Sequence, residues 1–561
     1  MKKVKAEDAP RMEGDIKSAY DRMATDRQWY LTEAKESAKL TIPSIMASDQ
    51  DAANIVGQGS SPEDLAKPWQ SIGAKGVRNL SSKLGLTLFP PTGAFMRYQL
   101  HPQFKMALDE EGNENARTEI EQQLAIREQT IMDDVEANNV RTKADQVLRQ
   151  LIVTGNCLVY LPPEGGMRVF PLNNYVVRRD FVGQIVEIIY LELLDKATLP
   201  ETIRQTLIDA GHEEENGELV IGKGKKGQAV GVYTRLLLKK KRFMVSQEVE
   251  GHPVDLGGKT SIKKEKMPFL ALRFVTIDGE DYGRGYIEEY RGDLRSLEEL
   301  RKAIVIGALN AAKLTPMINP GSVVTPKKLM EAENGQAIFG RPDDVTMLQQ
   351  NKHADMSVAM NTSQQLQSDL SAAFLLNSSY QRNAERVTAE EVRRMAEELE
   401  DALGGIYSVL SQELQLPIAM RTEDRLIKEG ALVELEPKDA VKPIVVTGLA
   451  AIGRGHEFNR NREFYQFLAS EVAPLIPNIG EYLVAREAID RAAIGLGVAT
   501  EGAVKTEEQM QAEQDQAKKD AQQQSMMEIA GPELAKAGAA ELAAGGAGGM
   551  AEAAQGGGQP Q

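Results

Sequence analysis

The apolar positions along the chain change period twice. Ile16, Tyr20, Met23, Arg27 and Leu31 recur at steps of three or four with one polar gap, which predicts an amphipathic helix from the N-terminus to about residue 40. Thr41-Ile42-Pro43 stops it, because the residue before a proline disfavours the helical region. Residues 48–66 are rich in Ser, Asp, Gly and Asn and read as a loop. A second helix is expected from Trp69 to Leu88, with Ile72, Lys75, Leu80, Leu84 and Leu88 near one face. A third is expected over 115–150, with Ile120, Leu124, Ile131, Val135, Leu148 and Leu151 apolar. Short β-branched and aromatic runs then follow between turn residues: 158–161, 167–170, 176–177, 185–190, 230–238, 243–249 and 269–276.

From Tyr286 the helical period returns. Ile287, Tyr290, Leu294, Leu297, Leu300, Ile304 and Ala308 form one stripe over 286–313, a length of about 42 Å at 1.5 Å per residue. Residues 315–350 form an insert punctuated by Pro and Gly, with strand-like runs at Val323-Val324 and Val345–Leu348. A helix over 354–376 carries Met356, Met360, Leu366, Leu370 and Phe374, and its other faces are mostly Ser, Thr, Gln and Asn. Residues 377–387 read as a loop. Thr388-Ala-Glu-Glu391 is a capping box that opens a helix running to Pro417. Gly404-Gly405 inside that helix costs about 1 kcal/mol per Gly and predicts a kink. Further helices are expected between 421 and 500. Beyond about 501 the chain is rich in Ala, Gly, Gln and Glu, and most of it is expected to be disordered. The fold class that results is α+β and multidomain.

Composition narrows the function. The length of 561 residues suggests about three to five structural units. The net charge of −16 excludes a basic nucleic-acid coat, because tight phosphate binding needs clustered cations. Charge is uneven, however. Residues 201–218 hold six acids against Arg204, whereas residues 222–268 hold twelve Lys or Arg against four acids. The switch reads either as a solvated hairpin tipped by Lys239–Arg242 or as a surface for a partner or neighbouring subunit. No apolar run approaches the ~18 residues of a membrane span. Met1-Lys-Lys-Val-Lys leads into polar residues rather than a secretory signal, so a cytoplasmic site of synthesis is expected.

Catalytic patterns are missing. No G-x-x-x-x-G-K-[ST] occurs. Gly222-Lys-Gly-Lys-Lys-Gly227 has the wrong spacing for a phosphate loop, and Gly283-Arg-Gly285 lacks the third Gly of a dinucleotide fingerprint. His101, His212, His252, His353 and His456 are scattered without metal-ligand spacing. Cys157, the lone cysteine, sits in an apolar strand and reads as a buried inert thiol. Glu397, Glu398, Glu400 and Asp401 read as a solvated helical face. No enzyme activity, cofactor or metal is expected.

An ordered series of motifs carries a resemblance. It comprises Lys67-Pro-Trp-Gln-Ser-Ile-Gly-Ala-Lys-Gly76, Leu151-Ile-Val-Thr-Gly-Asn156, Asn174-Tyr-Val-Val-Arg178 and Asp278-Gly-Glu-Asp-Tyr-Gly-Arg284. It continues with the run from Tyr286 to Leu297, Gly340-Arg-Pro-Asp343, the run from Glu385 to Glu391, Leu403-Gly-Gly-Ile-Tyr407, the run from Ser411 to Pro417, and Thr447-Gly-Leu-Ala-Ala-Ile-Gly453. Over about residues 15–500 the chain resembles the portal proteins, or head-tail connectors, of short-tailed autographivirus-type bacteriophages.

That resemblance implies a homododecameric ring at one capsid vertex of the virion, assembled in the host cytoplasm, with double-stranded DNA passing through it during packaging and ejection. It implies an α/β wing (1–285), a stem of two helices (286–314 and 352–376), a small β-containing clip (315–351) and a channel loop (377–387). A long kinked helix with a return to the wing (388–436), a helical crown (437–500) and a tail (501–561) complete the chain. The implied partners are the terminase large subunit, the tail adaptor, the major capsid and scaffolding proteins, and internal core proteins; no membrane is involved. Arg382 and Arg386 fall in the channel loop as candidate phosphate contacts, with pairing to Glu385 or a neighbouring subunit as the alternative. Lys327, Lys328, Arg341, Asp343 and Asp344 of the clip are candidates to face the motor or adaptor. A sliding duplex suits a lining with few cations, since each neutralised phosphate adds about 0.9 to the salt dependence. The competing functions are a nucleotide-dependent packaging enzyme, which ATP hydrolysis would reveal, and another neck or tail structural protein.

Overall fold

The computed structural model describes residues 15–46, 65–90, 94–101, 103–104, 114–215, 218–220, 230–258, 260–312, 316–333, 336–347, 353–376, 402–434 and 441–445, with isolated positions at 395, 398, 399, 466 and 470. The chain divides into two units, Met1–Glu457 and Phe458–Gln561, and all the described segments belong to the first.

Helix α1 (Asp15–Leu40) buries Ile16, Tyr20, Met23, Arg27 and Leu31, the stripe that its sequence spacing defines. The polar gap is functional packing: Arg27 points its Nη1 at the carbonyls of Leu172 (2.8 Å), Asn173 (3.0 Å) and Tyr175 (2.5 Å). Buried Glu248 accepts from the Ile16 N–H at 2.8 Å, so a carboxylate from a distant strand satisfies a donor at the helix N-terminus. Helix α2 (Ile72–Leu88) is followed by strand β1 (Met96–Leu100). The expected third helix is two, α3 (Glu114–Ala137) and α4 (Val140–Thr154). Asn139 between them takes φ +52, a left-handed conformation that Asn tolerates and that a continuous helix forbids.

The two sheets built from residues 156–273 are antiparallel. Strands β2 (Asn156–Tyr160), β3 (Arg168–Phe170) and β12 (Phe269–Arg273) form one sheet in the order β12-β2-β3. Strands β4 (Tyr175–Arg179), β5 (Ile185–Leu194), β8 (Val230–Lys239), β9 (Arg242–Val249) and β10 (His252–Val254) form the larger one, in the order β10-β9-β8-β5-β4, with β11 (Ser261–Lys263) also on β9. Glu250 (φ +47) and Gly251 (φ +86) make the two-residue turn that joins β9 to β10 with the right twist. Helix α5 (Glu201–Asp209) packs Ile203 and Leu207 on Val230, Val249 and Val254, and the hairpin β6 (Glu213–Glu215) and β7 (Glu218–Val220) follows it.

Helix α6 (Tyr286–Ala312) follows these strands. The insert after it holds the paired strands β13 (Pro316–Ile318) and β14 (Val345–Met347) and helix α7 (Pro326–Glu331). Val323-Val324 is not a strand: Val324 is buried and Val323 exposed. Helix α8 (His353–Ala373) returns along α6.

Pro417 does not end the long helix. Helix α9 (Ile406–Leu410) passes through a π turn at Ser411–Gln415 into α10 (Leu416–Glu429). Pro417 has no N–H and its ring crowds the carbonyl four residues back, so the wider turn just before it lets the helix continue. Upstream, Gly404 takes φ +59 in a turn between helical residues. Val441–Val445, within the stretch 437–500 where further helices are expected, forms strand β15, antiparallel to β1. The paired strand keeps this stretch with the first unit. The expected loops at 48–64 and 377–387, the capping box at 388–391, and the crown and tail beyond 445 lie outside the described residues, apart from positions 466 and 470.

Candidate functional site: the sheet–helix junction, helix pair and insert

Several of the motifs that carried the resemblance, among them 67–76, 151–156, 278–284 and 286–297, are far apart in sequence and meet in space. Asn156 opens β2, and its side chain bonds Gly283 twice, donating to the carbonyl at 2.8 Å and accepting from the N–H at 2.7 Å. Gly155 takes φ +74, and a Cβ there would lie 2.4 Å from the Arg284 carbonyl carbon. The Gly283-Arg284-Gly285 step is therefore a close backbone contact rather than a phosphate loop. The Tyr282 hydroxyl accepts from the Val177 N–H at 3.0 Å. Arg284 stacks on Trp29, 4.1 Å from the ring centroid, and pairs with Glu280 (2.8 Å) and Glu288 (3.1 Å). That cation lowers the Glu280 carboxyl below its usual range, while burial and Glu280 push the Tyr30 hydroxyl up to about 12. Arg291 pairs with Glu33 and Arg295 with Glu36, which fixes the base of α6 along α1.

Helix ends at this junction are closed by distant side chains, as the unpaired terminal carbonyls of helices require. At the end of α8, Tyr286 donates to the Ala373 carbonyl at 2.9 Å, and Asn79 to those of Phe374 (2.9 Å) and Leu375 (3.0 Å). Lys83 reaches the Leu375 carbonyl at 3.2 Å and the Glu398 carboxylate at 2.9 Å. Glu398 is thus an ion-pair partner and not only part of a solvated face. At the end of α2, Tyr407 and Gln415 donate to the Thr87 and Leu88 carbonyls. Gly76 faces Phe374 so closely that a Cβ would lie 2.4 Å from the ring. Gly76, Asn79, Lys83 and Gln415 were not singled out by sequence reasoning. A signal was present for Gly76 and Gln415, which lie within shared motifs, and absent for Asn79 and Lys83. Lys75, placed on the apolar face of α2, is exposed because it points away from this contact.

Along α6, burial falls from its N-terminal to its C-terminal half. Ile287, Leu294 and Leu297 are buried, whereas Val305 and Ile306 are 39% and 41% exposed and Leu309 is 60% exposed. Leu300 and Ile304 are half-buried and Ala308 is exposed, so the stripe is only partly covered within one chain. On α8, Ser363, Leu370 and the following Phe374 are buried, and Met356 and Leu366 half-buried. Met360, expected on the apolar face, is exposed together with Val358. Gly307 allows the helices to approach, since a Cβ there would lie 2.7 Å from the Met356 methyl. Among the described side chains of α8, from Met356 to Ala373, the sole charged one is Asp369.

The clip candidates are spread over the insert. Lys327 and Lys328 lie on α7, with Lys327 4.0 Å from Glu331. Arg341, Asp343 and Asp344 lie at the turn before β14, where the Asp344 carboxylate accepts from the Arg341 N–H at 2.9 Å and the Asp343 carbonyl accepts from Asn319. Asp344 is thereby partly engaged in shaping the turn, while the lysines, Arg341 and Asp343 are exposed. The insert also exposes Met330 and Phe339, the latter 93% accessible. Arg382 and Arg386 lie outside the described residues. Among the described residues no group of His, Cys, Asp and Glu is arranged to hold a metal, and no helix is long and apolar enough to cross a membrane. Cys157 is fully buried and burial pushes its thiol far up, which makes it inert.

The described chain thus combines antiparallel sheets packed with helices, a long helix pair and a small strand-paired insert, and comparison with known proteins gives the family. Residues 13–503 match the family of bacteriophage head to tail connecting proteins, and the chain belongs to that family. It is 38% identical to the portal protein of Enterobacteria phage T3 over 507 residues, covering 89% of this chain and 90% of that protein. It is 38% identical over 510 residues to the portal protein of Escherichia phage T7, with the same two shares, and 31% identical over 455 residues to that of Enterobacteria phage SP6, covering 81% of this chain and 83% of that one. The family and these relatives are named as connecting and portal proteins, names of structural parts of a phage rather than of enzymes. Among solved structures it matches a chain of the virion of a native gene transfer agent particle at 11% identity, with a TM-score of 0.34, over 76% of this chain and 90% of that one.

Proposed function

We propose that twelve copies of this chain close into a ring at one capsid vertex and form the channel through which double-stranded DNA is packaged and ejected. The observation that carries this reading is the gradient of burial along the stem. A helix pair whose base is fully packed and whose far half exposes Val305, Ile306, Leu309, Val358 and Met360 needs neighbours, and copies of itself around an axis supply them. The nearly uncharged outer face of α8 suits a channel wall along which phosphates slide without being held.

In this reading α6 and α8 are the stem, and the insert 316–347 is the clip that docks the terminase large subunit and then the tail adaptor. Lys327, Lys328, Arg341 and Asp343 are the exposed charges available for that contact. Arg382 and Arg386 touch phosphate from the channel loop. The residues beyond β15 form the crown and face the internal core proteins. Major capsid and scaffolding proteins meet the wing during assembly in the host cytoplasm.

Negative-stain imaging of the purified full chain tests the ring: annular particles support it, and a monomer at high concentration contradicts it. Changing Arg382 and Arg386 together to Ala tests the phosphate role. Reduced genome packaging or retention with normal rings supports it, and unchanged values refute it. Charge reversals at Lys327 and Lys328 should weaken adaptor binding by intact rings; loss of the rings themselves would assign these residues to subunit contacts.

A further inference from the structure

We propose that the wing sheet carries a head-to-tail electrostatic contact between copies of this chain, with the basic end of one β8–β9 hairpin facing the acidic end of the next. The inference rests on the ring reading above and adds a surface to it. Lys240-Lys241 forms the turn of the hairpin, between the paired residues Lys239 and Arg242. Strand β11 sets Lys263 beside Arg242, and Lys264 and Lys266 follow. All seven side chains are exposed, and Glu265 is the one acid in their midst. Lys266 meets Asp424 at 2.9 Å, whereas Arg242 and Lys264 reach the neutral side chains of Ser261 and Gln184.

The other end of the same hairpin has the opposite sign. Helix α5 is anchored there on Val230 and Val249, and it exposes Glu201 and Asp209. Glu250 in the β9–β10 turn and Asp255 after β10 are exposed as well. The neighbouring β6–β7 hairpin adds Glu213, Glu214, Glu215 and Glu218 by sequence. Lys223, Lys225 and Lys226 lie outside the described residues.

The ten residues of β8 separate the two ends by about 30 Å, nearly four Debye lengths at physiological salt. Within one chain neither end neutralises the other. A head-to-tail contact satisfies both, and only closure satisfies every copy, because an open string leaves one basic and one acidic end unmet. Such a contact steers assembly and fixes its direction more than it adds raw affinity. It weakens as salt rises.

The test uses the full chain and follows ring formation by native mass spectrometry at low and high salt. Changing Lys239, Lys240, Lys241 and Arg242 together to Glu should lower the ring fraction at least tenfold at low salt, with the melting temperature of the monomer unchanged. Changing Glu201, Asp209, Glu250 and Asp255 together to Lys should do the same. Combining both sets restores complementarity with the signs exchanged and should recover rings. The proposal is overturned if the first variant assembles with the salt dependence of the unaltered chain, or if the combined variant is no better than either alone. It is also overturned if rings persist and the first variant instead loses affinity for a short DNA duplex, which would assign the patch to phosphate. Failure of the unaltered chain to form rings would sink the ring reading itself, whereas normal rings from the charge variants would sink this contact alone.

Discussion

The base of the stem and its far half are built from one continuous helix and differ in almost every other respect. At the base, polar side chains tie distant elements together: Asn156 holds Gly283, Arg284 sits between Glu280, Glu288 and the Trp29 ring, and Asn79, Lys83 and Tyr286 close the end of α8. In the far half, apolar side chains face solvent and the clip exposes Phe339. A chain that over-determines one region and leaves the other uncovered is divided between a frame it completes alone and a surface that other molecules complete. Several shared motifs fall at the junction, where backbone approaches backbone at Gly155, Gly283 and Gly285 and an added side chain would collide.

The contrast predicts a ranking of mutational effects on the isolated chain. The largest should come from Gly155→Ala. The new methyl group collides with backbone at a positive φ, at a cost on the order of 3 kcal/mol, read as a lower midpoint of urea unfolding. A neutral result would mean that the junction is looser than its contacts indicate. Arg27→Met should cost roughly 2 kcal/mol, because it leaves the Leu172, Asn173 and Tyr175 carbonyls without their buried donor.

A smaller effect depends on pH. Glu413 lies in the π turn, and burial raises its carboxyl above the usual range even though Arg179 and Arg273 pull it down. Because the folded value is raised, the associated stability is present below the ordinary carboxylate range and is lost as pH rises through the raised value. Glu413→Gln should therefore melt at or above the unaltered chain near about pH 7.5, with the difference closing by about pH 4. Parallel melting curves across that interval would contradict the assignment. The smallest effect on the isolated chain should come from Leu309→Ser, within about 0.5 kcal/mol, although the same change should reduce ring yield.

Much of this was legible in the sequence because local rules decided it. The α1 stripe, the run of wing strands and the paired stem helices follow from apolar spacing that burial then respects. The break at Asn139, the passage of the helix through Pro417 and the pairing of β15 with β1 were not legible. Each depends on tertiary contact: a left-handed Asn, a π turn that relieves a proline, and a strand partner more than 340 residues away. The junction was visible only as motifs without a mechanism, because Asn156 and Gly283, or Lys83 and Glu398, become a site only when folding brings them together. Lys75 and Met360 teach the converse. Helical spacing assigns a face, but the neighbouring elements decide how wide the buried stripe is.

The central claim is that the far half of the stem is covered by other copies of the chain, and the lone buried cysteine makes it directly testable. Cys157 is inaccessible and provides a silent background, so a Leu309→Cys variant reports on one exposed position. Thiol labelling in the purified assembly should be at least tenfold slower than in the monomer, while a Val433→Cys control, exposed on the first unit, labels equally fast in both. Equal labelling of Leu309→Cys in the assembly and the monomer would contradict the account.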